Sequence, residues 1–172
     1  MRLNLPTAIT LSRIVLIPFF IIIAPDRPLL GAIIFGAASV TDFLDGYVAR
    51  KTGQVTKFGV ILDPIADKFL VISALILLVD MARLSAWIAI LIIVREFLVT
   101  GLRAVALSKD IIIPAEMGGK LKTGTQIAAI LCLIISGDVF SLYDLGTALI
   151  WISLALAIVS GIQYTVSFWK KI

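Results

Sequence analysis

Apolar residues in this chain fall into six long runs, and each run is long enough to form a helix across a lipid bilayer. A bilayer core is about 30 Å thick, so a spanning helix needs about 20 mostly apolar residues. The composition agrees, because 60% of the 172 residues are hydrophobic and only 15% are charged. We therefore expect an all-α polytopic membrane protein that forms a single domain over residues 1–172. Six transmembrane helices are predicted at 7–23, 29–50, 58–79, 85–108, 119–136 and 146–168.

The positive charges of the chain are concentrated in alternate connections between these runs. Loops that are rich in lysine and arginine remain in the cytoplasm. Both termini are therefore predicted to be cytoplasmic, which an even number of crossings allows. A basic surface next to a membrane attracts anionic lipids, and nothing in the pattern indicates a nucleic acid partner. The charges that carry this prediction are Arg2, Arg50, Lys51, Lys57, Lys109, Lys120, Lys122, Lys170 and Lys171.

Histidine is absent from the chain and cysteine occurs once, at Cys132. A single cysteine excludes an internal disulfide and a cysteine-based metal site. A general base, if the chain has one, must therefore be a carboxylate, a lysine, a tyrosine or this cysteine.

Four aspartates, Asp42, Asp45, Asp63 and Asp67, lie inside the second and third apolar runs. Ionised side chains within a membrane segment are costly, and they usually have a function. The spacings of three and four residues put each pair on one face of its helix. Because a short hairpin joins the two helices, we expect all four carboxylates to share one pocket near the cytoplasmic end.

Four carboxylates in one pocket would raise each other's pKa unless a cation lay between them. Oxygen ligands without histidine or cysteine favour Mg²⁺, or Mn²⁺ in its place. Four such groups suffice for two ions about 4 Å apart, an arrangement that suits displacement at phosphorus. Gly46, Ala49 and Gly59 would leave space for a phosphate ester beside the ions. The alternative is close helix packing, with the acids neutralised by neighbouring cations.

The complete pattern, D-x-x-D-G-x-x-A-R-x8-G-x-x-x-D-x-x-x-D, resembles the signature of the CDP-alcohol phosphotransferase family. In that family a CDP-linked alcohol donates its phosphoryl-bearing group to an acceptor hydroxyl and CMP is released. The resemblance also implies a six-helix bundle and a homodimer. It implies metal binding by Asp42, Asp45, Asp63 and Asp67, with Asp67 also the general base, and CDP binding by Gly46, Ala49, Arg50 and Gly59.

The start of the first helix departs from the family pattern P-N-x-x-T-x-x-R. Thr7 stands here in the position of the asparagine. For Thr10 and Arg13 two roles remain open, donor binding and anchoring at the membrane interface.

A second polar cluster lies on the fourth and fifth helices, within REFLVTGLR and GGKLKT. Glu96 and Arg103 fall on one helical face, so an internal ion pair between them is one interpretation. A single acid cannot offset four cations, however, and the surplus favours an anionic acceptor held through its phosphate. The predicted phosphate-binding residues are Arg95, Arg103, Lys120 and Lys122.

These two motifs are similar to those of the phosphatidylglycerophosphate synthase subgroup of the family. That resemblance implies CDP-diacylglycerol as donor and sn-glycerol 3-phosphate as acceptor. Inositol phosphate, serine or a second phosphatidylglycerol are alternative acceptors, although serine would not need the cations. A cation transporter is the alternative outside the enzymes, but it would distribute its acids across the depth of the membrane.

Overall fold

The computed structural model describes the backbone of residues 5–52, 57–108, 117–137 and 140–169, and the side chains of 12–41, 68–106, 108, 121–137 and 142–169. This part of the chain consists of helices and short turns. The helices are α1 (Leu5–Ile23), α2 (Pro28–Thr52), α3 (Lys57–Asp80), α4 (Ala86–Ser108), α5 (Met117–Ile135) and α6 (Phe140–Trp169).

The prediction of six helices is confirmed, and most of the predicted ends are correct within about three residues. The largest difference is the start of α6, which begins at Phe140 and not at residue 146. Asp144 and its polar neighbours lower the hydropathy of this first turn and a half, so the apolar run begins later than the helix. Helical hydrogen bonds do not require apolar side chains, which explains the earlier start.

Short turns between α1 and α2 and between α3 and α4 make these helices antiparallel neighbours. At the first of these turns, a side chain at Gly31, near the start of α2, would overlap Ala24. Glycine therefore permits the close approach of α2 to the end of α1. In the second turn, Ala82 has a φ of 54°, the left-handed conformation that commonly ends a helix. The amides of Arg83 and Leu84 both donate to the carbonyl of Leu78, at 2.9 Å and 3.1 Å, and so close the end of α3.

The interior of the bundle is apolar and draws side chains from all six helices. α1 packs on α2 and α3, α4 packs on α6 and α3, and α5 forms its most extensive contact with α6. Phe20 and Phe35 meet with their ring centroids 5.7 Å apart. The largest fully buried apolar side chains are Phe20, Phe35, Leu75, Leu78, Ile92, Ile130, Leu133, Ile134 and Ile150.

Within the described residues, one helical segment has the length and apolar composition of a membrane span, Leu142–Trp169, with a mean hydropathy of 2.2. Shorter apolar helical segments are Ser12–Ile23, Pro28–Thr41 and Leu121–Ile135. α4 has sufficient length but carries Arg95, Glu96 and Arg103 among its apolar residues.

The two ends of the bundle have different chemistry. At one end, Arg83 lies in the α3–α4 turn, and its Nη1 donates to the carbonyl oxygens of Leu133, at 3.2 Å, and of Ile134 near the end of α5. At the other end, the second half of α4 meets the first halves of α3 and α5 through charged side chains. The helix direction puts the second half of α2 and the first half of α3, which hold the predicted metal ligands, toward this second end.

Candidate active site

The carboxylate of Glu96 is the centre of the charged cluster at this end. Oε1 forms ion pairs with Lys122 Nζ on α5 and, at 3.3 Å, with Arg95 Nη1. Oε2 lies 3.6 Å from Lys68 Nζ on α3. The Glu96 side chain is only 16% exposed, so these contacts are partly shielded from solvent. Three positive groups from three helices therefore meet on one carboxylate.

Arg95 connects this cluster to α6. Its Nε donates to the carbonyl oxygen of Ala157 at 2.8 Å, and its Nη2 donates to Ser160 Oγ at 2.6 Å. With Nη1 directed at Glu96, all three guanidinium nitrogens have a partner. Arg95 therefore fixes the position of Glu96 relative to α6, and two of the five N–H groups of an arginine remain for a ligand.

Arg103 lies further along α4 and does not pair with Glu96. Its Cζ is 5.7 Å from the centroid of the Tyr164 ring, a cation–π distance. The two residues share a helical face but are seven positions apart, which is about 10 Å along the axis. The ion pair considered from the sequence therefore does not form, and the partners of Glu96 come from α3, α5 and its own neighbour.

Lys122 is the most buried of the cations in this cluster, with a residue exposure of 4%. Its backbone carbonyl accepts a hydrogen bond of 3.4 Å from Ser153 Oγ on α6. Lys120, the fourth predicted phosphate ligand, lies in the first turn of α5, but its side chain is outside the described residues. Of the four predicted phosphate ligands, the structure thus brings Arg95 and Lys122 together and puts Arg103 beside Tyr164.

The predicted metal and CDP residues lie where only the backbone is described. Asp42, Asp45, Gly46, Ala49 and Arg50 belong to the second half of α2, and Gly59, Asp63 and Asp67 belong to the first half of α3. Their side chains are outside the described residues. Among the described side chains, no group of three or more acids, histidines or cysteines is close enough to hold a metal ion.

Arg13 on α1 is 1% exposed and is therefore one of the largest fully buried side chains. An arginine that anchors a helix at an interface extends its charge to water. The burial of Arg13 argues against anchoring at the interface and leaves donor binding as the other role considered from the sequence.

Four residues of this region were not predicted to be functional, namely Lys68, Gln126, Ser160 and Tyr164. Lys68 directly follows Asp67, and Gln126 lies one turn after Lys122, directly before an apolar run. Both were therefore visible as polar interruptions. Ser160 and Tyr164 gave no such signal, because their roles depend on how α6 is rotated against α4.

Comparison with known proteins identifies the family of the chain. The profile of the family described as CDP-alcohol phosphatidyltransferase matches residues 3–159. The chain therefore belongs to the CDP-alcohol phosphatidyltransferase family, whose members are membrane enzymes that generally depend on divalent metal.

Several bacterial relatives are similar over nearly their whole length. A Bacillus subtilis protein named CDP-diacylglycerol–glycerol-3-phosphate 3-phosphatidyltransferase is 42% identical, over 98% of this chain and 97% of its own. Proteins with the same name from Rickettsia bellii and Wigglesworthia glossinidia brevipalpis are 39% and 36% identical, covering 94% and 100% of this chain and 93% and 98% of their own.

Proposed function

We propose that this protein transfers the phosphatidyl group of CDP-diacylglycerol to the primary hydroxyl of sn-glycerol 3-phosphate, and so forms phosphatidylglycerophosphate and CMP. The observation that carries the proposal is the meeting of Lys68, Arg95 and Lys122 around the single carboxylate of Glu96. The names of the relatives that align over nearly the full chain support the same reaction.

The acceptor is expected to bind through its phosphate at this cluster. Cations from three helices meet there, and a phosphate dianion would complement their positive charge. Lysine offers a compact charge to phosphate oxygens, and arginine offers paired N–H groups. We assign this binding to Lys122 and Arg103, with Lys120 and the remaining N–H groups of Arg95.

The donor is expected to bind between the second half of α2 and the first half of α3. Gly46, Ala49 and Gly59 would leave room for the cytidine diphosphate, and Arg50 would contact its phosphates. Arg13, buried within the bundle, would add positive charge on the donor side. The acyl chains would extend sideways into the lipid.

The four aspartates fit a divalent metal site by their chemistry and by their helical spacing. All four offer hard oxygen ligands, and the spacings of three residues in α2 and four in α3 put each pair on one helical face. Asp42, Asp45, Asp63 and Asp67 would hold two Mg²⁺ or Mn²⁺ ions. Bound metal would neutralise the pyrophosphate oxygens and stabilise the departing CMP.

The chain's own groups would carry the proton and orient the acceptor. Asp67 takes the proton of the acceptor's primary hydroxyl while the oxygen of that hydroxyl forms a bond to the phosphorus that bears diacylglycerol. The bond from this phosphorus to the bridging oxygen breaks, and CMP leaves with the electron pair. Because Lys68 directly follows Asp67, its contact with Glu96 connects the acceptor cluster to the base. Holding hydroxyl and base within hydrogen-bond reach supplies much of the rate.

We further propose that the chain crosses the membrane six times. Both termini and the active site would then lie on the cytoplasmic side. The distribution of lysine and arginine supports this orientation, and the charged end of the bundle would then face the soluble substrate. A homodimer is the family expectation. Membership of an enzyme family leaves the cation transporter without support.

An assay of purified protein in detergent tests the proposed reaction. CMP release is followed with CDP-diacylglycerol and Mg²⁺ while glycerol 3-phosphate, inositol phosphate and serine are offered separately. Turnover with glycerol 3-phosphate alone is expected. Turnover only with inositol phosphate would contradict the acceptor assignment, and no CMP release with any acceptor would contradict the reaction.

A further inference from the structure

A cavity opens between α3, α4 and α5 next to the charged cluster. It is partly open to the surroundings. Lys68, Glu96 and Lys122 line it toward the charged end. One helical turn or more further into the bundle, the lining changes to Leu75, Ile93 and Gln126. The cavity thus joins a charged mouth to a mainly apolar inner end.

Gln126 is the polar residue at this inner end. It is 3% exposed, and its Nε2 has no hydrogen-bond partner among the residues that the structure describes. Leaving a buried N–H donor without a partner has a substantial free-energy cost, so such groups usually have a role. A carboxamide donor that lines a cavity is suited to bind a neutral oxygen of a ligand.

We propose that Gln126 determines acceptor specificity by donating a hydrogen bond from Nε2 to the secondary hydroxyl of glycerol 3-phosphate. This inference rests on the proposed function, since it assumes that acceptor. Lys122 and Gln126 are four residues apart, so about 6 Å of helix separates the cation from the amide. A phosphate held at Lys122 would therefore put the short carbon chain of the acceptor inside the cavity.

The cavity lining favours a hydroxyl over a phosphate at Gln126. A charged phosphate would lose hydration against Leu75 and Ile93, where the described residues offer it no cation. A hydroxyl costs much less to bury, and the amide would satisfy it. Carbon atoms of the acceptor would meanwhile contact the apolar walls.

The test compares two acceptors that differ in one hydroxyl group. Glycerol 3-phosphate and 3-hydroxypropyl phosphate share the phosphate and the primary hydroxyl, but the second lacks the secondary hydroxyl. We expect kcat/KM of the native enzyme to favour glycerol 3-phosphate by about tenfold or more, because the analogue would leave Gln126 unpaired. In Gln126→Leu this preference should fall to about twofold or less, mainly through a lower kcat/KM for glycerol 3-phosphate.

Gln163→Leu is the matched control, since Gln163 is an exposed glutamine on α6, and it should keep the native preference. Gln126→Met provides a second apolar replacement of similar length if the leucine variant folds poorly, and an unchanged KM for CDP-diacylglycerol identifies a folded variant. If an active Gln126 variant keeps the native ratio of kcat/KM values for the two acceptors, this inference alone is overturned. The same conclusion follows if the native enzyme does not prefer glycerol 3-phosphate over the analogue. If the native enzyme turns over neither acceptor, the proposed function is overturned as well.

Discussion

Glu96 on α4 and Lys122 on α5 form an ion pair inside the bundle, where both residues are largely buried. Lys68 from α3 and the neighbouring Arg95 also contact this carboxylate. The Glu96 carboxylate therefore joins three helices at the end of the bundle that holds the predicted active site. It also sets the position of Lys122, to which we assign acceptor binding.

Neutralising Glu96 is expected to destabilise the protein. In Glu96→Gln, three cations would lose the carboxylate that they share. Removing one partner of a buried ion pair costs roughly 3 kcal/mol, and for a chain of this size that lowers Tm by roughly 10 °C. Thermal unfolding in detergent measures the change. Millimolar glycerol 3-phosphate should raise Tm more in this variant than in the native protein, because its phosphate replaces the missing negative charge.

Asp144→Asn is the control for the loss of one acid, because Asp144 is exposed on α6 at the other end of the bundle. Its Tm should differ from the native value by no more than about 2 °C. Equal Tm values for Glu96→Gln and the native protein would show that the cluster does not hold the three helices together.

Replacing Lys122 by glutamine should weaken acceptor binding selectively. A hydrogen bond to a charged group contributes about 1.5–3 kcal/mol, so KM for glycerol 3-phosphate should rise by roughly 10- to 100-fold. KM for CDP-diacylglycerol should change by less than about threefold, since the donor is assigned to α2 and α3. Steady-state kinetics with each substrate varied in turn provide the measurement. Arg27→Gln removes an exposed cation at the opposite end, and equal effects of the two variants would contradict the assignment.

Arg83 is expected to matter for stability and not for catalysis. Its guanidinium donates to two carbonyl oxygens near the end of α5, and these groups would lose their partner in Arg83→Ala. We expect a loss of roughly 2 kcal/mol, seen as a lower Tm, with kcat and both KM values unchanged at a temperature where the variant is folded. Arg27→Ala, an exposed arginine in the α1–α2 turn, should have little effect on either property. A large change in KM upon Arg83→Ala would show that this end of the bundle contributes to substrate binding.

Asp67→Asn should abolish turnover while nucleotide affinity is largely kept. Asparagine has a similar shape but cannot accept the proton of the attacking hydroxyl. CMP release and binding of a CDP-containing ligand are measured on the same preparation. Asp80→Asn at the far end of α3 is the control and should keep native turnover. Near-native turnover of Asp67→Asn would remove this residue from the role of base.

Hydropathy predicted the helices well because each apolar run is about the length of one helix. It placed the start of α6 too late, since hydropathy measures the apolar part of a helix and Asp144 belongs to its polar first turns. The positions of the charged residues are also evident from the sequence. The excess of cations over acids on the fourth and fifth helices predicts an anionic acceptor.

The partners of these charges could not be predicted from the sequence. A helical wheel groups Glu96 with Arg103, but it ignores the axial distance that separates them. The contacts of Arg95 with Ala157 and Ser160 depend on which face α6 turns toward α4. No local pattern in either helix specifies that rotation. Metal binding by the four aspartates remains a prediction from spacing and family resemblance.

Anomalous diffraction from crystals soaked in Mn²⁺ with CDP-diacylglycerol tests the central claim most directly. We predict two anomalous peaks about 4 Å apart between α2 and α3, within ligand distance of Asp42, Asp45, Asp63 and Asp67. A pocket without anomalous signal, although the liponucleotide is bound, would contradict metal-assisted transfer at these aspartates.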